Sequence, residues 1–369
     1  MERKRACVIS SYAYIVEHIN YGALLQYYAL EKALKKNKID AYWLRYVIKN
    51  KPEIKNIAKK IVRDFCYGKN KKNIYNTLEL FEKFIIKYCK VSDLKYDSEK
   101  TLEERVPEAD IYITGSDQVW GGILKPNYLC FAPKNKIKCS YAASFGKKTI
   151  NKEHMDTISP WVKQLDFVSV REMSGIHICR EIGIEAQQVL DPTLLLDAKE
   201  YPVKKDKNST EIFCYFLNIN SNNQVHWEKI EELADCKKMN IGVACTEDTF
   251  KYFKEEEIQF LGPEEWLNRY YNAEYIITNT FHGTVFAIIF NKPFIVITQE
   301  GKTGKQNERI YSLLNSFNLL DRLYDSKKEI VDQIDTFIDW NRINDEIKLK
   351  RMASFEYIEM IKNIDESVI

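Results

Sequence analysis

The sequence lacks the cysteine spacings and long apolar runs that mark metal-binding, exported or membrane-spanning proteins. Its nine cysteines are scattered singly, without a C-x-x-C pair or a Cys/His ligand spacing, and this pattern indicates a reducing compartment. No apolar run reaches ~18 residues, and the first apolar stretch is interrupted by Ser10, Ser11 and Glu17. We therefore expect a cytoplasmic protein without an export signal or a membrane span.

An excess of charge of one sign and the common nucleotide-binding fingerprints are missing as well. The 55 basic and 53 acidic residues nearly balance, so the composition does not indicate a nucleic-acid-binding protein. No G-x-G-x-x-G occurs, and the Walker-like Gly301-Lys302-Thr303 lacks its earlier glycine, because residue 296 is Val296. Acidic residues cluster nowhere with cation-ligand spacing, so no metal site is predicted.

The sequence does contain a long alternation of short β-rich runs and helical patterns, and its 369 residues suit two domains. Strands are predicted at residues 6–9, 41–47, 111–114, 140–145, 167–170, 188–190, 212–218, 241–245 and 275–278. Helices are predicted at residues 23–36, 54–65, 75–88, 152–164, 174–182, 225–236 and 263–271, and along most of 327–364. Residues 191–210 combine two prolines with a charge run and mark the domain boundary.

This pattern predicts an α/β protein made of two doubly wound domains with parallel sheets. We expect an N-terminal domain at residues 1–200, a C-terminal domain at 201–340, and a final helix at 341–369 that packs back on the N-terminal domain. In such domains ligands bind outside the carboxyl ends of the strands, so a cleft between the two domains is the expected site.

The segment from Tyr275 to Thr298 carries the strongest sign of a functional site. It is predicted to form a strand, a tight turn, a helix and a strand, with His282 in the first turn of the helix. N–H groups and the positive end of the helix dipole face an approaching anion there, and Gly283 leaves room for a ligand. An imidazole at this position suits an acid or base that acts when substrate binds, although a simple polar cap is the alternative.

Polar groups also follow strands of the first domain. They are Ser116, Asp117 and Gln118 in the turn that Gly115 opens, and Asn20, Tyr21 and Gly22 before the first long helix. Such groups can bind sugar hydroxyls or an anion, whereas ordinary helix capping is the alternative.

Several motifs, taken in their order along the chain, resemble those of the polysaccharide pyruvyl transferases. They are Asn20-Tyr21-Gly22-Ala23 with Gln26, the turn from Gly115 to Trp120, Ser169-Val170-Arg171-Glu172 with Ser174, Asp191-Pro192-Thr193, and Phe281-His282-Gly283 with Asn291-Lys292-Pro293. The resemblance implies a GT-B-like fold of two Rossmann-like domains facing a cleft. It also implies that phosphoenolpyruvate donates its enolpyruvyl unit to two sugar hydroxyls, which forms a cyclic ketal and releases phosphate.

The resemblance further implies roles for individual residues. His282 would be catalytic, as an acid or as a base, and a planar guanidinium such as that of Arg171 suits a carboxylate or phosphate. The donor would meet Arg171, Lys302, Gly283 and Thr280, with Lys305 and Arg309 as further anion contacts, and the acceptor would meet Asn20, Tyr21, Gly22, Ser116, Asp117 and Gln118. Many relatives have an arginine where this chain has Thr280, which leaves more of the anion binding to backbone amides. No cofactor is implied beyond phosphoenolpyruvate as co-substrate.

The implied partners are phosphoenolpyruvate and a sugar acceptor from a capsule or exopolysaccharide precursor, including one carried by a lipid. The stretch from Lys35 to Lys72 has 13 basic and three acidic residues, and residues 54–65 show an amphipathic helical pattern. Such a helix can lie on the inner face of an anionic membrane, or it can pack on its own domain.

Two other functions are compatible with the same pattern. One is a GT-B-type glycosyltransferase that uses a nucleotide-sugar donor. The other is a sugar-binding paralogue without activity, although the joint presence of His282, Arg171 and Lys302 argues against it.

Overall fold

The computed structural model describes residues 3–12, 18–47, 68–206, 209–246, 249–301, 304 and 307–364. The chain divides into two compact units. Unit 1 comprises Met1–Lys49, Ile85–Leu196 and Asp345–Ile369, and unit 2 comprises Asn50–Phe84 and Asp197–Asn344. The change from one unit to the other at Leu196 therefore lies within the stretch 191–210 that the sequence marks as a boundary.

Unit 1 is built on a parallel sheet. Its strands are β1 (Arg5–Ile9), β2 (Asp40–Tyr46), β3 (Val91–Tyr96), β4 (Ile111–Thr114) and β5 (Ile137–Ser140), in the spatial order β3-β2-β1-β4-β5. A short parallel pair, β6 (Ser169–Val170) and β7 (Gln187–Gln188), extends the sheet beyond β5 through isolated bridges. Every residue of β4 and β5 is buried, as in a sheet covered on both faces.

The helices of unit 1 connect these strands. They are α1 (Tyr21–Lys36), the end of α2 (Lys71–Tyr88), α3 (Glu99–Glu104), α4 (Lys152–Val162) and α5 (Met173–Ile182). The side chain of Asn20 caps α1 by accepting a hydrogen bond from Ala23 N, and two lysines in its last turn offset the helix dipole.

Unit 2 contains a second parallel sheet. Its strands are β8 (Glu211–Phe216), β9 (Asn240–Cys245), β10 (Tyr275–Thr278) and β11 (Phe294–Val296), in the spatial order β9-β8-β10-β11. The later helices are α6 (Trp227–Lys237), α7 (Pro263–Asn272), α8 (Phe281–Ile289), α9 (Asn307–Ser316), α10 (Ile330–Asp335) and α11 (Trp340–Asn363).

Two segments group with a unit whose other residues are distant from them in the sequence. Residues 68–84 cluster with unit 2, where Leu80 lies against the start of α7 at Gly262. From Asp345 onward α11 belongs to unit 1, where Tyr357 Oη donates a hydrogen bond to Ser140 O at 2.8 Å.

Most predicted elements agree with the structure within a few residues, but two predictions differ from it and the strand β3 was missed. The strand expected at 140–145 occupies Ile137–Ser140, because Ala142 has a left-handed φ of 49° that a strand does not adopt. The strand β3 was not predicted, since its alternating lysine and aspartate resemble a solvated loop. The expected C-terminal helical stretch is interrupted between α10 and α11.

The helix predicted at 54–65 lies outside the described residues and stays a prediction. Among the described helices, none is both long and apolar enough to cross a membrane.

Candidate functional site

Each sheet has a carboxyl edge, the side at which its parallel strands end, and a point on this edge where neighbouring crossovers run in opposite directions. In unit 1 the chain passes from β1 to β2 and from β4 to β5, so this point lies outside the ends of β1 and β4. In unit 2 it lies outside the ends of β8 and β10. The two turns that the sequence singles out, after β4 and after β10, thus occupy the ligand-binding positions of doubly wound folds.

In unit 1 a buried glutamine joins the ends of β1 and β4. Gln26, on α1, donates a hydrogen bond to Ser10 Oγ at 2.6 Å and accepts one from Ser116 N at 3.1 Å. Ser10 Oγ in turn donates to Ser116 O at 3.1 Å. Ser116 is fully buried, so it supports the turn and does not itself offer a hydroxyl to a ligand at the surface.

The turn after β4 requires glycine at its first position. Gly115 has a φ of 117°, and a Cβ atom there would collide with the carbonyl oxygen of Tyr141. Asp117 has a left-handed φ of 72° and is half-buried, and its Oδ2 accepts a hydrogen bond from Ser11 Oγ at 3.2 Å. The turn thereby fixes one carboxylate at the carboxyl edge.

The other residues of unit 1 that were predicted to contact the acceptor mainly make contacts within the protein. The side chain of Gln118 packs on the backbone of Gly146, where a Cβ atom would lie 2.6 Å from Gln118 Nε2. Asn20 caps α1, and Tyr21 and Gly22 are buried in its first turn. The acceptor contacts expected for these residues stay predictions.

Arg171 lies in a buried ion-pair cluster directly after β6. Its Nε donates to Glu172 Oε1 and its Nη1 donates to Asp191 Oδ2, each at 2.7 Å, and all three side chains are at most 4% exposed. Burial opposes the charge, but the carboxylates of Glu172, Asp191 and Asp117 raise the pKa of Arg171 above its ordinary value. We call Arg171, Glu172, Asp191 and Asp117 the arginine cluster.

The charges of the arginine cluster bear on the role expected for Arg171. Two carboxylates share the guanidinium, and a third attracts it, so the formal charge of the cluster is negative. An approaching phosphoenolpyruvate would meet that negative charge. The ion pairs give Arg171 a structural role, and the donor contact expected for it stays a prediction.

In unit 2 a set of hydroxyls shapes the turn that carries His282. Thr278 Oγ1 donates to Tyr215 O at 2.7 Å and lies 3.0 Å from Thr280 Oγ1. Thr280 caps α8 by accepting a hydrogen bond from Gly283 N at 2.9 Å. The Thr280 side chain is thus used within the protein.

Gly283 leaves room for these hydroxyls and not for a ligand. A Cβ atom at Gly283 would lie 2.5 Å from Thr280 Oγ1 and 2.7 Å from the hydroxyl of Tyr270, and closer still to Thr278 Oγ1. Burial raises the pKa of Tyr270 well above its ordinary value, so this hydroxyl stays protonated. The space that a side chain at Gly283 would occupy is thus filled by protein atoms, and the donor contact expected for Gly283 stays a prediction.

His282 lies in the first turn of α8, as predicted, and is 8% exposed. Its ring packs against Phe281 edge to face, with centroids 5.1 Å apart. The guanidinium of Arg309, on α9, lies over the ring of Phe281, 5.8 Å from its centroid. The structure therefore places one predicted anion contact, Arg309, against the residue that precedes the predicted catalytic histidine.

Amides connect this turn to the segment that follows β11. Asn279 Nδ2 donates to Leu217 O at 2.8 Å, which joins the ends of β10 and β8, and Gln299 Nε2 donates to Asn279 O at 2.9 Å. Gln299 and Asn307 exchange two hydrogen bonds and so hold together the ends of residues 300–306. Lys302 and Lys305 belong to this segment but lie outside the described residues, so their anion-binding roles stay predictions.

The predicted site residues thus form two groups. Those after β1, β4 and β6 belong to unit 1, and Thr280, His282, Gly283 and Arg309 belong to unit 2. Sequence reasoning quoted Gln26 in a family motif without giving it a role, and it missed the amides of Gln299 and Asn307, because no short-range pattern marks them. Within the described residues, no group of three His, Cys, Asp or Glu side chains is placed to hold a metal ion.

Comparisons with known proteins agree with this architecture. The family model described as polysaccharide pyruvyl transferase matches residues 20–301. The chain is similar to the S. aureus MnaA–UDP co-structure, with 13% identity, a TM-score of 0.53, and coverage of 97% of this chain and 96% of that one. It is also similar to a putative UDP-N-acetylglucosamine 2-epimerase from Listeria monocytogenes, with 11% identity, a TM-score of 0.51, and coverage of 99% and 92%.

At these identities the solved structures inform on the fold alone. Both are GT-B-type proteins, so the predicted GT-B-like fold is confirmed. A search of the curated proteins found no match.

Proposed function

The chain belongs to the polysaccharide pyruvyl transferase family, and from this premise we propose that it transfers the enolpyruvyl unit of phosphoenolpyruvate to a sugar. The acceptor is a precursor of a surface polysaccharide, such as a capsule or exopolysaccharide. Two of its hydroxyls form a cyclic ketal with the donated carbon unit, and phosphate is released. We expect the reaction to take place in the cytoplasm.

One observation in particular supports this proposal. The hydroxyls of Thr278 and Thr280 and the absent side chain of Gly283 hold His282 at the point on unit 2 where doubly wound folds bind ligands. A buried histidine beside an anion-attracting helix terminus suits proton transfer to or from a phosphorylated substrate.

The proposed chemistry needs one proton to be delivered and others to be removed. The methylene carbon of phosphoenolpyruvate must gain a proton, which makes C2 electrophilic, and each attacking hydroxyl must lose one. His282 is proposed to move one of these protons. Arg309, with Lys302 and Lys305, is proposed to neutralise the departing phosphate.

Mass spectrometry tests the proposal directly. The purified protein is incubated with phosphoenolpyruvate and a panel of oligosaccharides that includes galactosides and N-acetylmannosaminides. We expect a product heavier by one pyruvate ketal, together with released phosphate. If no such product forms, and the protein instead releases nucleotide from a sugar nucleotide, the proposal is wrong and the protein is a glycosyltransferase.

A further inference from the structure

The helix α11 presents an apolar stripe to solvent. Leu349, Met352 and Met360 are 68%, 61% and 41% exposed, and all three belong to the part of α11 that clusters with unit 1. At 3.6 residues per turn their directions fall within about 80° of one another, so they share one face of the helix. Single exposed apolar side chains are ordinary, whereas three in a row along one face indicate an interaction surface. We call these three residues the α11 stripe.

The other side of α11 is attached to unit 1. Leu190 N donates a hydrogen bond to Ser354 Oγ at 3.0 Å, and Arg351 Nε donates one to Leu194 O at 2.9 Å. Tyr357 is fully buried and hydrogen-bonded to the end of β5. The helix therefore cannot rotate to bury the α11 stripe without breaking these contacts, and the stripe stays available to a partner.

The two halves of α11 differ in formal charge. Residues 345–352 include three basic and two acidic side chains, whereas residues 353–363 include one basic and two acidic side chains. Lys348 and Glu359, both exposed, lie on the same flank of the α11 stripe, about 20° apart around the helix. Lys348 pairs with Asp345 at 2.8 Å, but both side chains are about 70% exposed, and such a surface pair is readily exchanged. The surface is thus complementary to an inverted copy of itself.

From this self-complementarity we infer that the α11 stripe binds the α11 stripe of a second copy of this chain, with the two helices antiparallel. Leu349 of each copy then lies opposite Met360 of the other, and the two Met352 side chains meet near the two-fold axis. Lys348 of each copy lies next to Glu359 of the second copy. A parallel arrangement would instead bring like-charged halves and like ends of the helix dipoles together.

The expected dimer is weak. The α11 stripe is short, and the charged Glu356 lies on the same face between Met352 and Met360. Such an interface is at the small end of specific protein–protein contacts, so we expect a dissociation constant in the micromolar range. The inference does not depend on the proposed function.

Sedimentation velocity of the full chain over about 1 to 200 µM measures this dissociation constant. We expect Met352→Lys to raise it by about 30-fold or more, because two lysines would meet near the two-fold axis. Ile86→Lys, at the end of α2, is the matched control, since Ile86 is 76% exposed and lies outside the α11 stripe. This variant should dimerise as the wild type does.

A charge exchange tests the antiparallel arrangement separately. We expect Lys348→Glu to raise the dissociation constant by about fivefold to tenfold at low salt, because two attractive pairs become repulsive. Glu359→Lys added to Lys348→Glu should restore most of the wild-type affinity. Thermal melting of each variant identifies any loss of folding.

Three results would overturn the inference. The first is a wild-type protein that stays monomeric at every concentration, and its co-sedimentation with anionic vesicles would then assign the α11 stripe to a membrane. The second is a Met352→Lys dimer as stable as the wild-type dimer, which would place the interface elsewhere. The third is a double variant no better than Lys348→Glu alone, which would exclude the antiparallel pairing.

Discussion

The carboxyl edges of the two units carry different charged groups. The arginine cluster of unit 1 combines one cation with three carboxylates. In unit 2, Arg309 lies over the ring of Phe281, the residue before His282. In the sequence, residues 300–309 include three cations and two carboxylates, and two of the cations, Lys302 and Lys305, lie outside the described residues. For the proposed reaction we therefore expect the doubly charged donor to bind at the edge of unit 2, away from the carboxylates of the arginine cluster.

The two units also position a polar side chain at the carboxyl edge in different ways. Unit 1 fixes Asp117 through the backbone conformation of a turn, with buried ion pairs next to it. Unit 2 fixes His282 through hydroxyls packed under a helix terminus. Substitutions that disturb the turn of unit 1 but not the helix terminus of unit 2, or the reverse, test this difference between the units.

Removal of the imidazole should have the largest effect on turnover. We expect His282→Ala to lower kcat by about 10³-fold, because one proton transfer loses its carrier. The melting temperature should change little if the ring acts only in chemistry. His177→Ala, at an exposed position on α5, is the control. Equal turnover in wild type and His282→Ala would remove the histidine from the mechanism.

Loss of the cation from the arginine cluster should have the largest effect on stability. We expect Arg171→Met to lower the free energy of unfolding by about 3–5 kcal/mol, since two buried carboxylates would lose their partner. Urea denaturation measures the loss, and Arg180→Met, exposed on α5, should be nearly neutral.

The same position distinguishes a structural arginine from a donor-binding one. Adding Glu172→Gln and Asp191→Asn to Arg171→Met should recover part of the lost stability, because the unpaired charges are then gone. An Arg171→Lys protein of wild-type stability with a raised KM for phosphoenolpyruvate would instead assign Arg171 to the donor and contradict the charge comparison.

A methyl group at the first position of the unit 1 turn should have the next largest effect. We expect Gly115→Ala to cost about 2–3 kcal/mol, because the added Cβ meets Tyr141 O and the φ of 117° disfavours a side chain. Gly122→Ala is the matched control, since a Cβ atom there meets nothing within 4 Å. Thermal melting that ranks the two variants equally would contradict this account of the turn.

The sequence predicts the regular parts of both edges well, and physical reasons explain what it does not predict. The helix at Phe281–Ile289 follows from a threonine cap and apolar spacing, both of which are local signals. The buried pairing of Arg171 with Asp191 joins residues 20 positions apart, and that of Gln26 with Ser116 joins residues 90 positions apart. Such contacts are set by strand order, which no local pattern encodes. The packing at Gly283 also depends on a non-local contact, because the hydroxyl of Tyr270, which lies beside it, comes from α7.

Glu31, on α1 of unit 1, provides a further comparison because it is a half-buried carboxylate whose charged neighbours, within the described residues, are lysines. Burial raises its pKa to about 7, although the N–H of Lys90, the hydroxyl of Tyr27 and the charges of Lys90 and Lys35 oppose the shift. The folded state therefore binds the proton more tightly than the unfolded state does. Stability attributable to Glu31 is greatest below pH 4.5, falls as pH rises, and is fully lost above about pH 7.

We expect Glu31→Gln to remove this dependence, because the neutral amide can still accept the Lys90 hydrogen bond. At pH 8 the variant should be more stable than wild type by about 2 kcal/mol, and the difference should vanish toward pH 4.5. Urea midpoints measured at both pH values test this, with Glu153→Gln, exposed on α4, as the control. A variant that is less stable than wild type at pH 8 would mean that the lysines keep the Glu31 carboxylate charged, as Arg171 does for its neighbours. Glu31 would then resemble the carboxylates of the arginine cluster, because basic neighbours would outweigh the effect of its burial.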